Sequence, residues 1–120
     1  MTMTVPPECS EEHLPEPSPL TEERLALVAK ALGHPARIRI LEQFLDHRCR
    51  TAQEVVDGCD LAQSTVSEHL RILREAEILS ARKDGPRIWY CMRRSVLQQF
   101  AEAVEDLTST EVAFADAGRR

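Results

Sequence analysis

The sequence predicts a mainly α-helical domain closed by one small β-hairpin and a last helix. Three observations carry this. Apolar residues recur at helical spacing in five separate segments. A Thr-x-x-Glu capping box stands at Thr51 and Glu54. Two β-like runs, Leu79 to Lys83 and Arg87 to Met92, flank Asp84-Gly85-Pro86, and Asp-Gly between such runs is a strong hairpin signal. At 120 residues the chain has the size of one domain, large enough to bury a core.

Met1 to Pro19 holds five of the seven prolines, interleaved with Glu and Ser and without apolar periodicity, so residues 1–20 read as a flexible acidic arm. Thr21 suits an N-cap and Glu22 and Glu23 suit the positive end of a helix, which Leu25, Val28, Ala29 and Leu32 continue until Gly33 and Pro35 stop it. From Ala36 a second helix carries Ile38, Ile40, Leu41, Phe44 and Leu45, too many apolar positions for one stripe. It is expected to be buried between neighbours and to end near Asp46 to Arg48. The capping box starts a short third helix with Val55 and Val56 inward and Gly58 at its end.

After a turn around Cys59 to Ala62, a fourth helix runs to about Glu77. It turns Val66, Leu70, Leu73 and Glu77 to one side and Ser64, Glu68, Arg71 and Glu75 to the other. The hairpin follows. A last helix, about Ser95 to Leu107, aligns Val96, Phe100, Ala103, Val104 and Leu107, and such a terminal amphipathic helix commonly meets a second subunit. The predicted domain spans 21–108, with a C-terminal tail over 109–120.

The net charge of −5 is unevenly distributed. Residues 1–20 carry four Glu and no Lys or Arg; residues 21–92 carry eleven acids and eleven bases; the rest has four Arg against five acids. Between Arg82 and Arg94 five cations (Arg82, Lys83, Arg87, Arg93, Arg94) face only Asp84, a concentration able to bind phosphate. No apolar run approaches the roughly 20 residues that span a bilayer, and the N-terminus lacks the basic and apolar regions of a signal peptide, so the expectation is a cytoplasmic protein without membrane contact. No cysteine sits in a Gly- and Arg-rich turn that could cradle an oxyanion, which argues against a thiol enzyme.

Two helices joined by a tight turn, followed by a basic hairpin, form a winged helix-turn-helix. The start of the second helix can enter the major groove of double-stranded DNA, where Gln63, Ser64, Thr65 and Ser67 are short enough to approach base edges and Arg71 reaches phosphate, with Glu68 counted among the DNA-binding residues of the same face. Arg82, Lys83 and Arg87 would track the backbone or the adjoining minor groove.

The stretches Lys30-Ala-Leu-Gly-His-Pro-Ala-Arg-Ile-Arg-Ile-Leu41 and Gln63-Ser-Thr-Val-Ser-Glu-His-Leu-Arg-Ile-Leu-Arg-Glu-Ala-Glu-Ile-Leu79 resemble the two signature segments of the ArsR/SmtB metal-sensing repressors, in the right order and with the wing following. The resemblance covers about residues 21–107. It implies a homodimer built through the first and last helices that represses an operator and leaves it when an effector binds, with no resident cofactor.

The effector sites best known in that family are missing. Thr51 and Gln53 stand where a Cys-Val-Cys-Asp box would be, and the last helix has no His. What remains resembles an actinobacterial arsenic-sensor subgroup with cysteines in the arm and after the second helix. Cys9 and Cys49 fall at those places, although Ser10 replaces the second cysteine of the arm pair. The resemblance implies trivalent arsenic or antimony, soft centres suited to thiolates, at Cys9 and Cys49, with Cys59 a further ligand or a small core residue. Cys91, beside Trp89 and Tyr90 in a strand, reads as structural, as do His34 and His69, whereas His13 and His47 could complete a zinc or cadmium site. A thiol redox switch, or a cadmium, zinc or lead sensor of the same fold, is the alternative.

Overall fold

The computed structural model describes residues 11, 12 and 14–109. Helix α1 spans Glu22–Leu32, capped by Thr21, whose hydroxyl accepts from the Arg24 amide, and buries Val28 and Ala31. Helix α2 spans Pro35–Glu42. Its cap is His34, whose Nδ1 accepts from the Ala36 amide, with Pro35 at the first helical position, where a missing N–H costs nothing.

Helix α2 is shorter than the apolar pattern predicts. After Glu42 the chain turns, because the carbonyls that would continue the helix are claimed elsewhere: Gln43 O accepts from Arg50 Nε at 2.9 Å and Phe44 O from Arg94 Nη2 at 2.9 Å. His47 then adopts a left-handed φ of 65°. Phe44 stays fully buried, but Ile38 and Leu45 face solvent rather than the core.

The turn delivers a strand that the sequence pattern does not announce. β1 (Arg50–Thr51) pairs antiparallel with β3 (Arg87–Met92), which pairs with β2 (Leu79–Asp84), so the expected hairpin is two strands of a three-stranded sheet ordered β1-β3-β2. The Asp84↔Arg87 pair closes a two-residue turn, with Gly85 at φ 64° supplying the positive dihedral that its first position requires. Thr51 ends β1 and also caps α3 (Ala52–Asp57); its hydroxyl accepts from the Glu54 amide while Glu54 Oε1 accepts from the Thr51 amide.

Helix α4 spans Gln63–Glu75 and α5 spans Arg94–Thr108. The main core joins Val28, Ile40, Val55, Leu70 and Val96 from all five helices with Phe44 from the turn after α2, and a separate small cluster holds Cys49, Trp89 and Cys91. Helix α4 stops short of Glu77, which takes a left-handed φ of 64° instead of extending the inner face.

Most of the expected C-terminal tail, and residues 1–10 of the expected arm, lie outside the described residues. From Leu14 to Leu20 the chain has neither helix nor strand. The described residues before α1 are fastened to the domain through Pro15, whose carbonyl accepts from Arg93 Nη2 at 2.8 Å, and through Ser18 and Glu11. Ser18 donates through its amide and hydroxyl to the Glu77 carboxylate, and Glu11 accepts from the Ser95 amide and hydroxyl and from Arg93 Nε. Arg93, the N-cap of α5, offers no side-chain cap, so Glu11 places its negative charge at that helix start. No helix among the described residues is long and apolar enough to cross a membrane.

Candidate nucleic-acid interface and thiol pair

Helix α4 is held from behind. Val66, His69, Leu70 and Leu73 are buried against the core, and His69 Nδ1 accepts from Arg37 Nε, while Arg37 Nη1 donates to both the Lys30 and Ala31 carbonyls. The His34 ring lies 4.7 Å from that of His69, centroid to centroid. Burial, with the neighbouring His34 and Arg37, holds the His69 imidazole below its usual pKa, so the ring that seats α4 is neutral. Both histidines thus have the structural roles that the sequence indicates.

The outward face of α4 carries the predicted contact residues. Ala62, not a hydroxyl residue, is the N-cap and makes no side-chain capping bond, so Ser64, Thr65 and Ser67 are not consumed as caps. Ala62, Gln63, Ser64, Ser67, Glu68 and Arg71 line one shallow concavity. Arg71 is engaged: it donates to Glu68 Oε1 at 3.0 Å and to Oε2 at 2.6 Å, and its remaining nitrogen binds Glu75. These bonds hold the Glu68 carboxyl below the usual carboxylate range and push the Arg71 guanidinium further up.

Arg82, Lys83 and Arg87 are exposed on the hairpin next to its turn. Two other cations of that sequence cluster are not available to phosphate. Arg93 is 6% exposed and bound to Glu11 and the Pro15 carbonyl, and Arg94 donates to His47 Nδ1 and the Phe44 carbonyl. Sequence proximity made one cluster of side chains that the fold turns to different sides.

The cysteines depart from expectation. Cys49 is not a free thiol but is disulfide-bonded to Cys91, with the Cα atoms 4.4 Å apart and both residues buried beside Trp89. The cause is β1: pairing of Arg50 with Tyr90 sets the preceding Cys49 alongside Cys91. Cys91, read as structural, is therefore half of the pair. Cys59 is a free, half-buried thiol whose sulfur accepts from Gln43 Nε2 at 3.3 Å. Cys9 and His13 lie outside the described residues, and no group of three or more His, Cys, Asp or Glu among the described residues is placed to hold a metal ion. His47, expected as a companion ligand, accepts from Arg94 instead.

A buried-back helix presenting hydroxyls and an amide, next to a basic two-stranded wing, defines a winged helix-turn-helix DNA-binding domain. A family model described as a helix-turn-helix domain matches residues 32–80. The chain is 31% identical over 104 residues to the HTH-type transcriptional repressor SmtB of Mycobacterium tuberculosis, covering 82% of this chain and 76% of that one. The ArsR-like transcriptional regulator from Rhodococcus sp. RHA1 has a similar structure, with a TM-score of 0.70 at 21% identity over 80% of this chain and 90% of that one. The homodimeric winged helix-turn-helix DNA-binding domain of a Mycobacterium bovis protein gives a TM-score of 0.60 at 23% identity over 78% and 85%. The chain belongs to the ArsR/SmtB family of winged-helix transcriptional regulators.

Proposed function

We propose that the chain is a homodimeric repressor that binds operator DNA through α4 and the wing and releases it when the Cys49–Cys91 pair is oxidised. The supporting observation is the pair itself, which joins the turn after α2 to the central strand of the wing sheet. Oxidation by a peroxide removes two electrons and two protons from the thiols, forms the S–S bond and yields two waters (or water and an alcohol). Because Cys49 lies two residues before the α3 cap, a bond there bears directly on the helix-turn-helix. Dimerisation rests on the apolar residues Leu27 of α1 and Val104 and Leu107 of α5, exposed on the single chain, and on the homodimeric M. bovis neighbour.

A second reading, release by trivalent arsenic or antimony, is favoured by the same adjacency. Reduced, Cys49 and Cys91 are a ready pair of soft sulfur ligands, with Cys9 as the candidate third. A gel-shift titration on DNA upstream of the gene, with peroxide, arsenite, antimonite, cadmium, lead and zinc as releasing agents, separates the two. Peroxide release that is lost in Cys49→Ser and Cys91→Ser but kept in Cys9→Ser supports the redox reading. Peroxide release that persists in Cys91→Ser overturns it, and arsenite release that requires Cys9 and Cys49 establishes the metalloid reading.

A further inference from the structure

Glu68 is out of place on a surface that meets a polyanion. It is exposed on the outward face of α4, in the same concavity as Ser64, Ser67 and Arg71. A bare carboxylate there would oppose binding to phosphates. The structure shows instead a carboxylate that is oriented. Arg71 grips both of its oxygens from one side, and Glu75 holds Arg71 from the other, so the bonds give the Glu68 carboxylate a defined orientation.

An ionised carboxylate only accepts hydrogen bonds and has about four lone-pair directions, of which Arg71 uses two. The major-groove edges that donate are the exocyclic amino groups, N4 of cytosine and N6 of adenine; guanine and thymine present acceptors and would repel it. We propose that Glu68, held in place by Arg71, is a specificity-determining residue that selects a base bearing an exocyclic amino group, cytosine or adenine, at one position of each half-site. Arg71 is then a positioning residue whose guanidinium fork orients the reading group. The proposal rests on the DNA-binding reading above.

The test is selection from a randomised duplex pool by the purified reduced protein, for the wild type, Glu68→Ala, Glu68→Gln and Arg71→Lys. Filter binding of single-base variants of the enriched duplex at several salt concentrations follows. The wild type should enrich cytosine or adenine at one symmetric position and reject guanine and thymine there by roughly tenfold or more; which of the two bases is enriched identifies the donor. Glu68→Ala should lose that preference while keeping the rest of the motif. Glu68→Gln, which can both donate and accept, should broaden it, and Arg71→Lys should weaken it because an ammonium cannot reproduce the fork.

A motif unchanged in Glu68→Ala, with all duplexes bound more tightly by one common factor, would show that Glu68 merely repels DNA, and the proposal fails alone. If the wild type enriches no duplex, the DNA-binding reading fails and takes the proposal with it. An unaltered preference in Arg71→Lys removes the positioning role. Both residues are exposed, so the variants should melt close to the wild type, and the melt is the folding control.

Discussion

Reducing the Cys49–Cys91 bond should lower the melting temperature by about 15 °C. The bond closes a loop with a sequence separation of 42 residues. In the chain-entropy account, a loop of that length removes ~13 cal/mol/K from the unfolded ensemble, or ~4 kcal/mol at 25 °C. For a domain of roughly 100 ordered residues, each kcal/mol moves the midpoint by about 4 °C. The reduced thiols remain in the same apolar cluster with Trp89, so packing should change little and most of the effect should come from the freed unfolded chain.

The assay is a thermal melt followed by far-UV circular dichroism and by the fluorescence of Trp89, the single tryptophan, with and without reductant. Thiol titration confirms the state, since the oxidised protein has two fewer titratable thiols. Cys91→Ser should melt near the reduced wild type and ignore reductant. If a wild-type sample with the bond demonstrably formed melts at the same temperature as its reduced form, the loop-entropy reasoning is refuted.

Thr51→Ala removes one half of the capping box and should cost about 1 kcal/mol in urea denaturation, with an unchanged m-value. His69 is held neutral in the fold, with its pKa below the unfolded value of about 6.5. The unfolded chain therefore takes up the proton first as pH falls, so stability should decline below about pH 6.5 until the folded pKa is passed. His69→Gln, which keeps an acceptor for Arg37, should flatten that decline, and an identical pH profile would contradict the assignment. Burial alone would raise the Glu11 carboxyl, but the Ser95 hydroxyl and amide and Arg93 bring it below the ordinary carboxylate range. Its contribution should be present above the unfolded value of about 4.3 and be lost as pH falls through the folded pKa; Glu11→Gln should abolish that acid-side loss and lower the protection of α5 amides, speeding their hydrogen exchange.

Local signals proved readable, and distant pairings did not. The capping box at Thr51 and Glu54, the Gly85 turn and the two faces of α4 follow from residues within four or five positions of one another, and the structure has each of them. The end of α2 was misplaced because Phe44 and Leu45 continue the apolar pattern, while the groups that stop the helix, Arg50 and Arg94, come from other elements. β1 is only two residues long and has no periodicity to detect. With it went the Cys49–Cys91 pair, 42 residues apart, and nothing in the composition of the arm points to a bond between Glu11 and a residue at position 95. The residues expected to contact DNA, Gln63, Ser64, Thr65, Ser67, Glu68, Arg82, Lys83 and Arg87, are exposed on α4 and the wing, as their spacing indicates. The carboxylate partners of Arg71 sit at helical spacing on either side of it, and the sequence carried that signal too.

Thr51 is at once the strand residue opposite Trp89 and the cap of α3. There is no linker between wing and helix-turn-helix at that point: a tug on β3 is felt at the first turn of α3 within one residue. In the homodimer proposed above, each protomer would be one arm of a pair of calipers, with the tip proposed to read bases and the tip proposed to rest on the backbone cast as a single piece. In that proposed dimer, adjustment to the distance between half-sites would come from the interface between the two copies, and a chemical event beside Trp89 would be transmitted to DNA as a change of angle between arms rather than a bending of either one.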